Sequence, residues 1–200
     1  MPSVLRTLTG RRGLLVVGAA VVVLVAAAAI VVVATGDGGD DRPLPVGRKN
    51  IVVIMTDDQT LASLATMPRT QELLVDQGTS YTTAVASFPN CCPSRATYLS
   101  GQYAHTTGVL DNVGPHGGVT TFDASDALPV ALEQAGYDTI HIGKYLNGWG
   151  AFGDIEPPPG WTRWIGLVDP TTYQYTGYTL SYDGEPFTVG DGDESYQTDR

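Results

Sequence analysis

Cysteine and basic residues are scarce in this chain. Among its 200 residues there are two cysteines, and they are neighbours, Cys91 and Cys92. Adjacent cysteines cannot link distant parts of a fold, and a disulfide between neighbours is strained, so this pair needs another explanation. Lysine and arginine number 11 against 21 acidic residues. Because such a surface repels phosphates and no basic stripe interrupts it, we expect no nucleic-acid partner.

One long apolar run stands near the amino end. Residues 13–34 are uninterrupted apolar residues, and the segment before them, residues 1–12, carries only arginines as charged residues. The run suits a bilayer-spanning helix of about 20 residues better than a signal-peptide core of about 7–15. An uncleaved signal anchor and a long signal peptide cleaved near Ala34 both stay open. Either predicts export, with an extracytoplasmic domain that is secreted or membrane-anchored through residues 13–34.

A domain is predicted after this segment. Residues 35–49 are rich in glycine, aspartate and proline and lack periodicity, which indicates a linker ahead of a domain over residues 50–200. The β-branched run 51–55 predicts a strand buried on both faces. Two further strands and three helices are predicted by the same kind of pattern, the strands over 79–85 and 139–142, the helices over 68–77, 94–100 and 126–135.

This order of elements predicts an α/β fold, a layered mixed sheet with helices on both faces. A hairpin over residues 178–188, turning at Asp183-Gly184, is expected as an antiparallel addition at one edge. Leu73 and Leu74 are expected to face inward from their helix, and Asp126 is expected to cap the start of another.

Two carboxylates, Asp57 and Asp58, directly follow the first predicted strand. Such a pair can share a hard cation, because the metal relieves their mutual repulsion; a polar turn is the alternative interpretation. Ligands in layered sheets bind at the carboxyl ends of strands, where polar residues following different strands converge. We therefore expect the polar residues that follow Met55, Val85 and Ile142 to meet in space.

Residues 88–101 read FPNCCPSRATYLSG and contain the pattern C-x-P-S-R from Cys91 to Arg95. A helix start with a solvated arginine would be the plain interpretation. The pattern resembles the sulfatase family, in which a maturation enzyme oxidises the first cysteine of this motif to an aldehyde, formylglycine, during export. NIVVIMTDDQ at residues 50–59 and GKYLN at residues 143–147 resemble further family segments. With Gly160-Trp161 they are most similar to the N-acetylglucosamine-6-sulfatase branch.

The resemblance implies an alkaline-phosphatase-like fold and a definite set of roles. Cys91, as hydrated formylglycine, would attack sulfur with one hydroxyl and expel sulfate with the other. Asp57, Asp58 and the group at Cys91 would hold Ca²⁺ or a similar divalent cation. Arg95 would steady the hydrate, and Lys144 would bind a sulfate oxygen. The helix following Cys91 would offer amide groups to the anion. His105 would contact the residues of the site rather than the substrate itself.

The implied partners are a sulfated small molecule or glycan and, during maturation, the formylglycine-generating enzyme. Leu146 stands where many arylsulfatases carry histidine, which argues against a simple arylsulfatase. Sulfatase domains are usually much longer, so the resemblance implies that this one is incomplete at the carboxyl end. The remaining metal ligands and acid–base residues would then lie beyond Arg200.

Three other functions stay open. Relatives with the same arrangement of residues hydrolyse phosphate or phosphonate esters. An inactive truncated protein, acting as a membrane-tethered binding module, is the alternative from another class. A metal or redox sensor built on the thiol pair is the third, and modification of Cys91 would exclude it.

Overall fold

The computed structural model of the protein describes residue 47 and residues 49–199. The predicted segments 1–12 and 13–34, and most of the predicted linker 35–49, lie outside these residues and stay predictions. Among the described residues, no helix combines the length and the apolar character that a bilayer crossing requires.

The described part contains a four-stranded mixed sheet with helices. The strands stand in the order β1 (Ile140–Gly143), β2 (Arg163–Leu167), β3 (Thr179–Tyr182) and β4 (Glu185–Thr188). β1 and β2 are parallel, and the other two pairs are antiparallel. The predicted mixed sheet is thereby confirmed, as are the strand over 139–142 and the antiparallel hairpin at one edge.

The hairpin turn explains why this edge was predictable. Asp183 and Gly184 both have positive φ, 50° and 92°, as the twist-matched two-residue hairpin turns require. Strand β2 was missed, because Gly166 interrupts its apolar pattern. Glycine is needed there, since a Cβ at Gly166 would lie 2.5 Å from Cε2 of the Trp164 indole.

Four α-helical segments are described. α1 (Pro68–Thr70) continues into a π-helical stretch, Gln71–Val75. α2 (Cys91–Ser100), α3 (Ala104–Thr107) and α4 (Leu128–Gln134) follow. Short 3₁₀ segments lie elsewhere along the chain, at Leu61–Thr66, Val119–Thr121, Thr171–Tyr173, Asp193–Ser195 and Gln197–Asp199.

The predicted helices exist, but some of their ends differ. α2 ends at Gly101 as expected, with φ of 68°, a left-handed conformation that glycine adopts without steric cost. It begins at Cys91, three residues earlier than predicted, because Asn90 caps it. The prediction that Asp126 caps α4 is wrong. That helix begins at Leu128, and Ala127 occupies the cap position without a side-chain hydrogen bond.

The core lies between α2 and the sheet and is centred on Trp164. This indole is fully buried and stacks on His141 at 4.3 Å between ring centroids. Trp149 and Tyr145 pack against it at 4.8 and 5.2 Å. α2 contributes its inner face to the same cluster, through Cys92, Ala96 and Leu99, a spacing that places these side chains on one side of a helix.

The amino-terminal part of the domain differs most from the prediction. Residues 51–55 form no strand, and all five are exposed, Val52 by 81%. The prediction of a second strand over 79–85 is also wrong, since these residues form a turn and irregular chain. Leu73 and Leu74 are 55% and 54% exposed rather than inward. A β-branched run becomes a buried strand only beside partner strands, and no described segment pairs with these residues.

Candidate active site

Cys91 is the first residue of α2, and side-chain amides hold the start of this helix. The backbone N–H of Cys91 donates to Asn90 Oδ1 at 3.0 Å. The N–H of Cys92 donates to Asn112 Oδ1 at 2.8 Å. Asp111 joins the two amides, because its Oδ1 accepts from Asn90 Nδ2 and from the N–H of Asn112. Unpaired N–H groups at a helix start need such partners.

This arrangement changes one expectation. The helix start was expected to offer amide groups to an anion, but Asn90 and Asn112 already accept from the first two N–H groups. The sequence reasoning missed both asparagines. Asn90 carried a usable signal, as an N-capping residue type directly before the helix. Asn112 carried none, because it reaches α2 only through the fold.

Asp57, Asp58 and Cys91 form the candidate metal cluster. One ligand atom from each of the three lies within 4.8 Å of the others. Cys91 Sγ is 3.6 Å from Asp57 Oδ1. Asp58 has φ of 52°, a left-handed conformation that aspartate tolerates better than most residues. The structure thus brings the three predicted metal ligands together, and their role as ligands stays a prediction.

Two cations converge on the carboxylate of Asp57. Arg95 Nη2 donates to Asp57 Oδ2 at 2.8 Å, and Lys144 Nζ lies 3.1 Å from the same oxygen. The other terminal nitrogen of Arg95 donates to the backbone carbonyl of Lys144 at 2.5 Å. Arg95 therefore joins α2, the loop of Asp57 and the end of β1. Its side-chain hydrogen bonds thus go to Asp57 and to the backbone of Lys144.

These contacts set the ionisation of the cluster. Burial opposes the charge on Asp57, yet Lys144 and Arg95 outweigh burial and hold the pKa of this carboxyl below its usual value. Burial likewise opposes the charge on Lys144, but Asp57 outweighs it and raises the pKa of the ammonium. At neutral pH the cluster thus contains an ionised carboxylate between two cations.

Other residues singled out by the sequence lie apart from this cluster. His105 is exposed in α3, and its ring stacks on Tyr103 at 5.8 Å. His141 is half-buried beside Trp164, where desolvation lowers its pKa to about 4, so it is neutral at pH 7. Leu146, at the position of the arylsulfatase histidine, is 2% exposed and belongs to the core.

A carboxylate pair, a potential nucleophile and two cations in one cluster are the parts of a site for an anionic ester. The chain belongs to the sulfatase family. The family model for sulfatases matches residues 49–192, which include every member of the cluster. The resemblance carried by the C-x-P-S-R motif is thereby confirmed.

Named relatives agree with this membership. An extracellular sulfatase SULF-1 homolog of Drosophila melanogaster is 38% identical over 72% of this chain and 13% of its own length. An arylsulfatase of Volvox carteri is 35% identical over 76% of this chain and 24% of its own. The human N-acetylglucosamine-6-sulfatase is 33% identical over 76% of this chain and 28% of its own. The chain thus spans between about an eighth and a quarter of these relatives.

A solved structure is also similar. It is a complex of another protein with its substrate D-glucosamine-2-N,6-O-disulfate, and it is 28% identical. The superposition covers 55% of this chain and 20% of that one, with a TM-score of 0.43.

Proposed function

We propose that the protein is a sulfuric ester hydrolase that acts on sulfated sugars. The observation that carries this proposal is the cluster of Asp57, Asp58 and Cys91, with Arg95 and Lys144 on Asp57, in a chain of the sulfatase family. An anionic ester needs positive charge at the reacting group and a nucleophile beside it. All of these parts lie together here.

The donor set fits a hard divalent cation such as Ca²⁺. Asp57 and Asp58 offer carboxylate oxygens, the ligands that Ca²⁺ prefers. The sulfur of Cys91 is a soft ligand. In hydrated formylglycine a hydroxyl oxygen, which is a hard ligand, would take its place. When bound, the cation would supply positive charge that favours ionisation of the nucleophile. Lys144, already oriented by Asp57, would bind a sulfate oxygen as a point charge.

Formylglycine at Cys91 would supply two hydroxyls on one carbon, one to attack sulfur and one to release sulfate. Cys91 suits this role better than Cys92, because only Cys91 has proline two residues and arginine four residues later. Position supports the same choice. Cys91 is partly exposed beside the carboxylates, whereas Cys92 is fully buried in the core, where burial raises the pKa of its thiol.

Sulfated sugars are the proposed substrate class. Among the named relatives are N-acetylglucosamine-6-sulfatases, and the motifs of this chain are most similar to that branch. Leu146, packed in the core, cannot act as the proton donor that histidine would be at this position.

We also propose that the protein is exported through residues 13–34, either membrane-anchored or secreted, and that its sulfatase domain begins at Asn50. Relatives named as extracellular sulfatases support the export.

The first test is mass spectrometry of Cys91 peptides from protein exported by a host that contains the formylglycine-generating enzyme. We expect the aldehyde at Cys91 in the natural chain and in Cys92→Ala, and none in Cys91→Ala. An unmodified thiol at Cys91 in demonstrably active protein would contradict the proposal. Turnover of phosphate esters in preference to glucosamine-6-sulfate would favour a phosphate or phosphonate ester hydrolase instead.

A further inference from the structure

Tyr173 is a residue of the site that no motif indicated. It ends the 3₁₀ turn Thr171–Tyr173 between β2 and β3. Lys144 Nζ lies 5.1 Å from the centroid of its ring, within the distance at which a cation is attracted to an aromatic face. Tyr173 is 57% exposed, so solvent reaches one part of its ring.

The ring of Tyr173 is fixed to the chain segment that carries Lys144. Its hydroxyl accepts a hydrogen bond from Asn147 Nδ2 at 2.8 Å. Asn147 is only 7% exposed, and its backbone carbonyl accepts from the N–H of Val119 at 2.8 Å. Asn147, which is buried and makes both of these hydrogen bonds, thus helps to hold the aromatic ring near Lys144.

Lys144 needs such a second support. A lysine has a flexible stem of four carbons, and its ammonium takes a defined position only where neighbours fix it. On one side that neighbour is Asp57, at 3.1 Å. Asp57 is also a proposed metal ligand, and a carboxylate that shares its charge with a cation attracts a lysine less strongly. The ring of Tyr173 is not a proposed metal ligand, so its attraction for Lys144 does not weaken in this way.

We propose that Tyr173 is a positioning residue for Lys144, and that its ring keeps the ammonium directed at the place where the sulfate group binds. This inference rests on the proposed function, because it assigns Lys144 to the sulfate. The attraction is electrostatic and uses the face of the ring, so phenylalanine should preserve it and leucine should remove it. The hydroxyl serves only to anchor the ring.

A spectroscopic test addresses the contact itself, without turnover. The chain contains two lysines, Lys49 and Lys144, so ¹³C-labelled lysine gives two sets of Cε–Hε signals in the NMR spectrum. Protons above a ring face are shifted upfield, and we expect this shift for Lys144 with Lys49 as the reference. Tyr173→Phe should retain it, and Tyr173→Leu should abolish it. Tyr175→Leu is the matched control, because Tyr175 is exposed and stacks on Tyr196 instead.

An unshifted Lys144 in the natural chain, or a shift that survives Tyr173→Leu, would overturn the proposal. Equal loss in Tyr173→Phe and Tyr173→Leu would overturn the claim that the ring face is sufficient. Because Tyr173 is more than half exposed and is not a member of the core cluster, we expect leucine there to leave the core around Trp164 folded. The dispersed ring signals of that core verify folding in each variant.

The kinetic arm uses the protein matured to formylglycine. We expect Tyr173→Leu to lower kcat/KM for a sulfate ester about tenfold, Tyr173→Phe to stay within about threefold of the natural protein, and Tyr175→Leu to equal it. An undiminished kcat/KM in Tyr173→Leu would refute the positioning role. If the natural protein hydrolyses no sulfate ester, the proposed function fails, while the NMR arm still decides whether Tyr173 positions Lys144.

Discussion

At the scale of single residues, Asp57 has two competing partners. Its carboxylate holds Arg95 and Lys144 in the structure, and it is also a proposed ligand of a divalent cation. Asp58 belongs to the same cluster and, among the described residues, has no salt bridge to either cation. The two aspartates therefore differ in what their loss should do.

Replacement of either aspartate should separate these tasks in the matured enzyme. Asp58→Asn should weaken Ca²⁺ binding at least about tenfold and leave Arg95 and Lys144 in place. Asp57→Asn should weaken Ca²⁺ binding as well, and in addition it should leave two cations without their shared carboxylate. Calorimetric titration with Ca²⁺ measures the weaker metal binding. Turnover responds both to weaker metal binding and to the loss of the carboxylate that Arg95 and Lys144 share. Full activity after treatment with a chelator would contradict a metal role for either residue.

His141 predicts a dependence of stability on pH. Burial lowers its pKa from 6.5 to about 4 in the folded protein, so between these values the unfolded chain binds more protons. The stabilisation is complete above about pH 6.5 and is lost as the pH falls through this window toward 4, by roughly 3 kcal/mol in total. Urea unfolding at several pH values measures it. His141→Phe should reduce the slope of stability against pH.

The sequence predicted the five charged or nucleophilic members of the site but not the residues that support them. Each of the five lies in or beside a recognisable motif: Asp57, Asp58, Cys91, Arg95 and Lys144. Asn112 and Tyr173 act on α2 and on Lys144 across the fold, and their own sequence neighbourhoods contain no signal. Local patterns therefore reveal groups that take part in chemistry more readily than groups that hold them in position.

At the scale of elements, the sequence predictions that were confirmed concern features fixed by a few neighbouring residues. The β3–β4 hairpin and the end of α2 were predictable because Gly184 and Gly101 occupy positive-φ positions that few other residues adopt. Residues 51–55 were predicted as a buried strand from composition alone, and they are exposed. A turn is fixed by its own few residues, whereas burial of a strand depends on which neighbours the rest of the chain supplies.

The N-cap of α2 gives a prediction about a feature that a single residue fixes. Asn90→Ala removes the cap on the Cys91 N–H and the hydrogen bond to Asp111. We expect a loss of about 1–2 kcal/mol in the free energy of unfolding, measured by urea denaturation. Asn90→Ser should recover most of the loss, because serine also accepts at this position. A serine variant as unstable as the alanine variant would show that the bond to Asp111, not the cap, stabilises the helix.

At the scale of the whole molecule, the cluster supplies few metal ligands. Within the described part of the chain, three residues form a candidate ligand group, whereas Ca²⁺ takes about six to eight oxygen ligands. We expect the 200-residue chain, expressed with the maturation enzyme, to hydrolyse glucosamine-6-sulfate far more slowly than one of its longer relatives. Turnover within about tenfold of that relative, a difference of ~1.4 kcal/mol in barrier, would refute this expectation.

The core around Trp164 has a spectroscopic consequence. The chain contains three tryptophans, and all of them lie in this one group, with Trp149 and Trp161 at 4.8 and 5.9 Å from Trp164. Residues 49–85 contain none. Intrinsic emission therefore reports almost entirely on the half of the domain that carries the sheet. Loosening of the loop that bears Asp57 and Asp58 would leave the emission unchanged, so a fluorescence melting curve and a calcium-binding curve of this protein would follow different parts of the molecule.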